Sequence, residues 1–280
     1  MFTTVGIALF VILLLLAGCQ RRLIYHPRAY PTDFRAHLPN GMVELAFETA
    51  SGRQTAFYLA ANGNPSKMPA NVWVCFHGNA ATALHWLNTV GKVRSRDVGF
   101  LLVDYPGYGV SAGHPTRDSI AEAAEGAYQA LARHYQVPSA ELDKGVSVLA
   151  FSIGTAAGLD FAGHHPVKQV VLLAPFTSLM DMARRIIGWP LCLALLDRFD
   201  NSARLDELAA RTTPPRLHLF HGGEDEVVPV SMGKSLAKKH PTMIEFHAYS
   251  GTGHNTLLET VESDLLPVLS GEGHTLPPSK

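Results

Sequence analysis

The sequence predicts an α/β protein: a doubly wound, mostly parallel sheet, preceded by an antiparallel hairpin and interrupted late by a short helical cap. Three observations predict it. Apolar runs at residues 72–76, 100–103, 146–151, 170–174 and 217–220 are rich in Val, Leu or Phe and bounded by Gly, Pro or Asp. Strands covered by helices on both faces read as such unbroken runs. Helix-length segments at 80–90, 116–135, 155–163 and 231–240 alternate with them. Two alternating runs, 43–47 and 55–59, come first, with the turn pair Ser51-Gly52 between them, which marks a hairpin. That order of elements gives a doubly wound sheet.

The elements follow from the amino terminus. From Val5 to Cys19 the chain is almost wholly apolar over 15 residues. This is short of the ~20 that a spanning helix prefers and suits the core of a secretory signal. Its end, Leu16-Ala17-Gly18-Cys19, resembles the lipobox of bacterial lipoproteins, which makes Cys19 a lipidation candidate. No Lys or Arg precedes the run, however, and Arg21 and Arg22 follow it directly. That bias favours a cytoplasmic domain behind an uncleaved anchor. Two membrane placements therefore stand, a cell-envelope lipoprotein or a signal anchor with its domain in the cytoplasm, and either makes the membrane a partner; a buried core helix is the third reading.

Residues 20–40 lack sustained periodicity and read as a linker lying over the domain. The domain itself is expected over 41–270, with the cap at about 176–215. The Ala-rich stretch 120–133 is a good helix by propensity. A last strand at 244–248 and a helix from about Asn255 close the domain, and residues 271–280 form a flexible tail.

Composition narrows the function. The chain has 280 residues, 47% of them hydrophobic, enough for one large domain with a cap. A net charge of −1 without blocks of like charge provides no field for nucleic acid. The 3 cysteines lack metal-like spacing, and Cys75 and Cys192 sit in apolar runs as small buried hydrophobes.

The chemistry is expected at the carboxyl ends of the parallel strands, where such sheets bind ligands. The strand 146–151 runs into Ser152-Ile153-Gly154 and a helix of small residues, a nucleophile elbow of the form Ala150-x-Ser152-x-Gly154. The usual pattern has Gly where Ala150 stands. His77-Gly78-Asn79-Ala80 ends the first buried strand. Its backbone is expected to aim one N–H, from Asn79 or failing that Ala80, at the point reached by the Ile153 N–H. Two such donors form an oxyanion hole. His77 reads as a loop-positioning residue. After the strand 217–220, Asp225 stands where a carboxylate reaches an imidazole, with Glu224 and Glu226 beside it as solvated charges. Of 14 histidines, His254 lies in a Gly-rich loop after the last strand, and Ser152, Asp225, His254 is the chain order of a hydrolase triad. His164, His165, His240 and His247 are expected at the surface or at helix ends.

HGNA at His77, DYPGYGVSAGHPT from Asp104, APFTSL from Ala174, HGGEDEVVP from His221 and GTGHN at the end occur in order. Over roughly residues 45–269 this resembles the α/β-hydrolase superfamily, and more narrowly its membrane-associated branch of serine hydrolases that includes protein depalmitoylases. The resemblance implies the α/β-hydrolase fold, a structural role for the loop 104–109, and an acyl-enzyme on Ser152. It needs no metal and no organic cofactor. The expected substrate is a small or acylated ester or thioester. A serine peptidase of the same fold and a catalytically silent, membrane-tethered scaffold are the alternatives. The apolar stretch 186–196 reads either as an acyl pocket or as core packing of a connecting helix.

Overall fold

The computed structural model describes residues 20–93 and 97–271. The apolar run with Cys19, and all of the tail but Gly271, lie outside the described residues. Eight strands form one sheet: β1 Met42–Thr49, β2 Gly52–Leu59, β3 Asn71–Phe76, β4 Val98–Val103, β5 Val146–Phe151, β6 Gln169–Leu173, β7 Arg216–Gly222 and β8 Ile244–Tyr249. Their spatial order is β1-β2-β4-β3-β5-β6-β7-β8. β1 and β2 make an antiparallel hairpin, β2 joins β4 antiparallel, and every pairing from β4 through β8 is parallel. The doubly wound, mostly parallel sheet predicted from the apolar runs, with its antiparallel hairpin, is thus present, as the α/β-hydrolase resemblance implies.

Among the described residues, six helices of nine or more residues flank the sheet or lie in the cap: α1 Arg117–His134, α2 Gly154–His164, α3 Leu179–Ile187, α4 Asn201–Ala209, α5 Val230–Lys239 and α6 Glu262–Ser270. β4 reads as an unbroken apolar run because all six of its residues are buried. On one face of the sheet, Ile120, Ala124 and Leu131 of α1 pack with Leu159 and Phe161 of α2. Trp86, Val90, Leu265 and Val268 cover the other face. α1 begins on a reciprocal cap: the Ser119 N–H donates to Thr116 Oγ1 at 3.0 Å and the Thr116 N–H to Ser119 Oγ at 2.9 Å. Such a cap is worth about 1 kcal/mol.

The topology brings two loops together. The chain leaves β3 for β4 on one side and returns to β5 on the other, so strand order reverses at β3. Phe76 and Ala150 are register partners. The loops that follow them, starting at His77 and Ser152, therefore emerge side by side at the switch point, where such sheets bind ligands.

Three expectations are corrected. The single helix expected over 80–90 is a 3-10 turn, Ala83–Trp86, followed by one α turn, Leu87–Val90. Ala80 sits at φ +55°, and the buried Asp104 Oδ1 takes the Ala83 N–H at 2.8 Å, which delays helix entry. The closing helix comes in two pieces, Leu257–Thr260 and α6. His247 is buried within β8, whereas His165, at the end of α2 as expected, is buried between Glu125 and Asp143. Segment 20–40 buries Tyr25 and Phe34. In the cap, α3, a 3-10 turn at Leu191–Ala194 and α4 lie between β6 and β7.

Candidate active site

Ser152 occupies the turn between β5 and α2 at φ +53°, a left-handed conformation that costs a non-glycine residue about 1–3 kcal/mol. The surroundings hold it there. The Ser152 N–H donates to the Leu173 carbonyl at 2.9 Å, and its own carbonyl accepts from Thr155 N–H at 2.9 Å and Thr155 Oγ1 at 2.6 Å. Close backbone approach explains the glycines. A Cβ at Gly154 would stand 2.5 Å from the carbonyl oxygens of Phe76 and His77, and one at Gly78 would meet the Phe151 ring at 2.6 Å. Ala150, where the usual elbow has Gly, is accommodated from the opposite side. A Cβ at Gly158 of α2 would come within 3.0 Å of the Ala150 methyl, so the absent side chain at 158 leaves room for the one at 150.

The structure brings Ser152, His254 and Asp225 into one chain of contacts. Ser152 Oγ lies 3.0 Å from His254 Nε2, and His254 Nδ1 lies 2.7 Å from Asp225 Oδ2. All three residues are buried. A carboxylate only accepts, so Nδ1 carries the imidazole hydrogen and Nε2 faces the hydroxyl with a lone pair. Asp225 Oδ1 accepts the N–H groups of Val227 at 2.9 Å and Val228 at 2.7 Å. Burial alone would push this carboxyl up. His254 and the two backbone N–H groups outweigh burial and hold it below the usual carboxylate range. Glu224 and Glu226 are exposed, so it is Asp225 of the three acids that meets the imidazole.

Around this chain lie groups that sequence reading missed. Glu226 Oε2 accepts the His254 backbone N–H at 3.2 Å and so fixes the histidine loop. The Phe151 ring tilts against the His254 imidazole with centroids 5.0 Å apart. His221 is fully buried, with Nε2 at 2.8 Å from the Val228 carbonyl and 3.6 Å from Asp225 Oδ2. A carbonyl only accepts, so Nε2 holds the hydrogen. Burial lowers the pKa of this ring, which lies against Asp225 but gives its hydrogen to the Val228 carbonyl. The one available signal was its place in HGGED; its partner lies seven residues on and is set by the loop's path.

The Asn79 loop faces the elbow. Among the described residues, neither the Asn79 N–H nor the Ile153 N–H has a hydrogen-bond acceptor, whereas the Ala80 N–H donates to Asn79 Oδ1 at 3.1 Å. The Asn79 side chain is a hub. Its Oδ1 also accepts from the His26 N–H and the Tyr108 hydroxyl, both at 2.9 Å, and its Nδ2 donates to the Ile24 carbonyl at 2.7 Å. His77 is buried, stacks on Tyr105 with centroids 4.0 Å apart, and is lowered by burial to about 3. A ring so reluctant to accept a proton suits positioning better than proton transfer. Asp104 lies beneath this loop, its Oδ2 accepting from the Tyr30 hydroxyl at 2.7 Å, and burial raises it to about 7.

Residues 73–238 match the model of the alpha/beta hydrolase family. The chain belongs to that family. An uncharacterized protein of Mycobacterium tuberculosis is 29% identical over 238 residues, covering 84% of this α/β hydrolase and 80% of that protein. Human alpha/beta hydrolase domain-containing protein 17B is 32% identical over 180 residues, covering 64% of this chain and 58% of its own. An esterase of Pyrococcus furiosus superposes with a TM-score of 0.64 at 13% identity, covering 88% of this chain and 94% of that one, a likeness of fold alone. Family membership supports hydrolase activity for this α/β hydrolase. Which bond it cleaves is a question for the site.

Proposed function

We propose that this α/β hydrolase is a serine hydrolase that cleaves carboxylic esters or thioesters through an acyl-enzyme on Ser152. The observation that carries this reading is the Ser152–His254–Asp225 chain of contacts, at 3.0 and 2.7 Å. His254 Nε2 takes the Ser152 proton as Oγ attacks the acyl carbon, and Asp225 orients the ring and stabilises the imidazolium. The oxyanion is assigned to the N–H groups of Asn79 and Ile153, the two left without acceptors, each commonly worth ~3–4 kcal/mol of barrier. The protonated His254 then gives its proton to the leaving alcohol or thiol. It next deprotonates a water that attacks the acyl-enzyme and releases the acid and free Ser152.

Likeness to the human 17B protein supports placing the chain within the membrane-associated branch that includes depalmitoylases. A membrane location, through the apolar run 5–19 with or without lipidation at Cys19, belongs to the same proposal. The test is labelling by a fluorophosphonate probe together with turnover of p-nitrophenyl butyrate. Both are expected for the full chain, and both vanish in Ser152→Ala. Turnover of an aminoacyl-nitroanilide without ester turnover would replace the esterase with a peptidase. A folded protein that takes up no probe would be a scaffold.

A further inference from the structure

Eight large apolar side chains are exposed among the described residues, and six of them belong to one region: Leu23, Ile186, Ile187, Trp189, Leu193 and Leu196. Trp189 is 74% exposed, Ile186 73% and Leu196 65%. Ile186 and Ile187 end α3, Leu193 lies in the 3-10 turn Leu191–Ala194, Trp189 and Leu196 flank that turn, and Leu23 belongs to the segment bonded to it. Gln20 Nε2 donates to the Ala194 carbonyl at 3.2 Å, and the Leu196 N–H donates to Gln20 Oε1 at 2.6 Å. α3 has no buried residue at all. The apolar stretch 186–196 is therefore neither a closed pocket nor core packing as a whole: Cys192 and Leu195 point in, Leu191 and Ala194 are half-buried, and Ile186, Ile187, Trp189, Leu193 and Leu196 face out. Scattered exposed apolar residues need no explanation, but a contiguous patch does.

We propose that this face of the cap lies in the lipid–water interface of a membrane and delivers membrane-resident acyl esters to the site. The chain itself identifies the occupant. Residues 5–19 are apolar and end one residue before Gln20, the residue tied to the cap, so any membrane holding that run lies against this face. Arg21, Arg22, Arg184 and Arg185 are exposed beside the apolar residues, the pattern of an interfacial element meeting anionic headgroups. The same amino-terminal segment runs on to the site. Tyr25 donates to Asp197 of the cap at 2.9 Å, and residues 24 and 26 bind the Asn79 side chain. The cap, the segment 20–26 and the Asn79 loop are one connected unit. The choice of substrate class rests on the esterase reading; the docking itself does not.

Trp189 is a built-in reporter, since Trp73 and Trp86 are buried. The full chain is placed in nanodiscs of phosphatidylglycerol and phosphatidylcholine whose acyl chains carry bromine. Tryptophan emission is expected to fall by about twofold, in Ser152→Ala as in wild type, with no fall in Trp189→Phe. Ile186→Ser with Leu193→Ser should weaken the quenching and slow hydrolysis of an embedded long-chain ester by about tenfold, leaving a soluble short-chain ester unaffected. Unquenched emission overturns the proposal, as does a sedimentation shift showing that the double variant dissolves a dimer. Quenching without any ester turnover would overturn the esterase reading alone.

A separate observation at the opposite ends of β7 and β8 carries a second inference. His218 Nδ1 and His247 Nε2 are buried and have no hydrogen-bond partner. Each lies 3.4 Å from an oxygen of Glu245, and the three ligand atoms fall within 4.8 Å of one another. Cross-strand register makes this set: His218 pairs with Glu245, and His247 is two residues along the same face. A tetrahedral zinc with bonds of about 2.0–2.1 Å separates its ligands by about 3.4 Å. His218 and Glu245 open on a surface cleft lined also by Pro214 and Met243. The geometry points to a divalent transition-metal site of the zinc type, bracing the two strands whose loops carry Asp225 and His254. Chelator-treated full chain titrated with zinc should bind one ion and melt at a higher temperature. His218→Ala and His247→Ala should each lower affinity by at least ~10-fold. Absence of binding, or binding indifferent to both substitutions, would sink the idea.

Discussion

Ala150 carries a methyl where the nucleophile-elbow pattern has glycine. In the structure its methyl faces Gly158, whose missing side chain makes the space. A Cβ at 158 would lie 2.8 Å from Val148 Cγ1 and 3.0 Å from Ala150 Cβ. Gly158→Ala is therefore expected to destabilise the fold by about 1–3 kcal/mol, the usual cost of overpacking. Adding Ala150→Gly should recover part of that loss but not the clash with Val148. Chemical denaturation of the two single variants and the double measures the coupling, and strict additivity would mean that the two sites do not share a space. Ser152 and His254 were readable because their chemistry comes with local glycine patterns. Asp225 had to be picked from three neighbouring acids, and only the loop's path decides among them. The roles of Glu226 and Phe151 left no trace in sequence, because each acts through a contact made across loops, and His221 left only its place in HGGED.

At the scale of elements, the strands were read with small errors at their ends, since burial on both faces writes itself as an apolar run. The segment 80–90 was misread because its fate depends on Asp104, a residue on another strand's loop. Asp104 also has a measurable consequence. Its carboxyl is raised by burial from 3.8 to about 7, so the folded state holds the proton more tightly than the unfolded chain. Its contribution to stability is full below about pH 4 and is lost as pH rises through about 7, at up to roughly 1.4 kcal/mol per pH unit. Asp104→Asn, whatever its baseline stability, should flatten the slope of unfolding free energy between pH 5 and 8. An unchanged slope would mean that the Tyr30 and Ala83 donors keep Asp104 ionised throughout. The neighbouring loop provides a second test. Asn79→Ala keeps the backbone N–H assigned to the oxyanion but deletes the hub that binds Ile24, His26 and Tyr108. It is expected to lower kcat by about 10–100-fold with little change in KM, because donor placement matters most in the transition state. A rise in KM alone would assign the hub to substrate binding.

On the scale of the whole molecule, stability is unevenly spread, and the unevenness matches the proposed work. The central strands β3 to β6 are almost wholly buried, flanked by apolar clusters on both faces. α3 has no fully buried residue and packs on the core only through the half-buried Leu179 and Met182, too little to make a nine-residue helix more than marginal in water. Opening of the cap should therefore cost far less than global unfolding. Sequence could not tell this, because the apolar residues of 186–196 look the same whether they point inward or out. In hydrogen exchange on the full chain held in a neutral detergent, amides of residues 179–194 are expected to exchange orders of magnitude faster than those of β5. Transfer to anionic nanodiscs should slow the cap amides selectively, since burying its apolar face in lipid adds stabilisation that β5 does not share. Cap amides as protected as β5 before lipid is added would mean that the cap is rigid on its own. A membrane would then have nothing to order there, and the connection from cap to Asn79 would be a fixed brace rather than a response to docking.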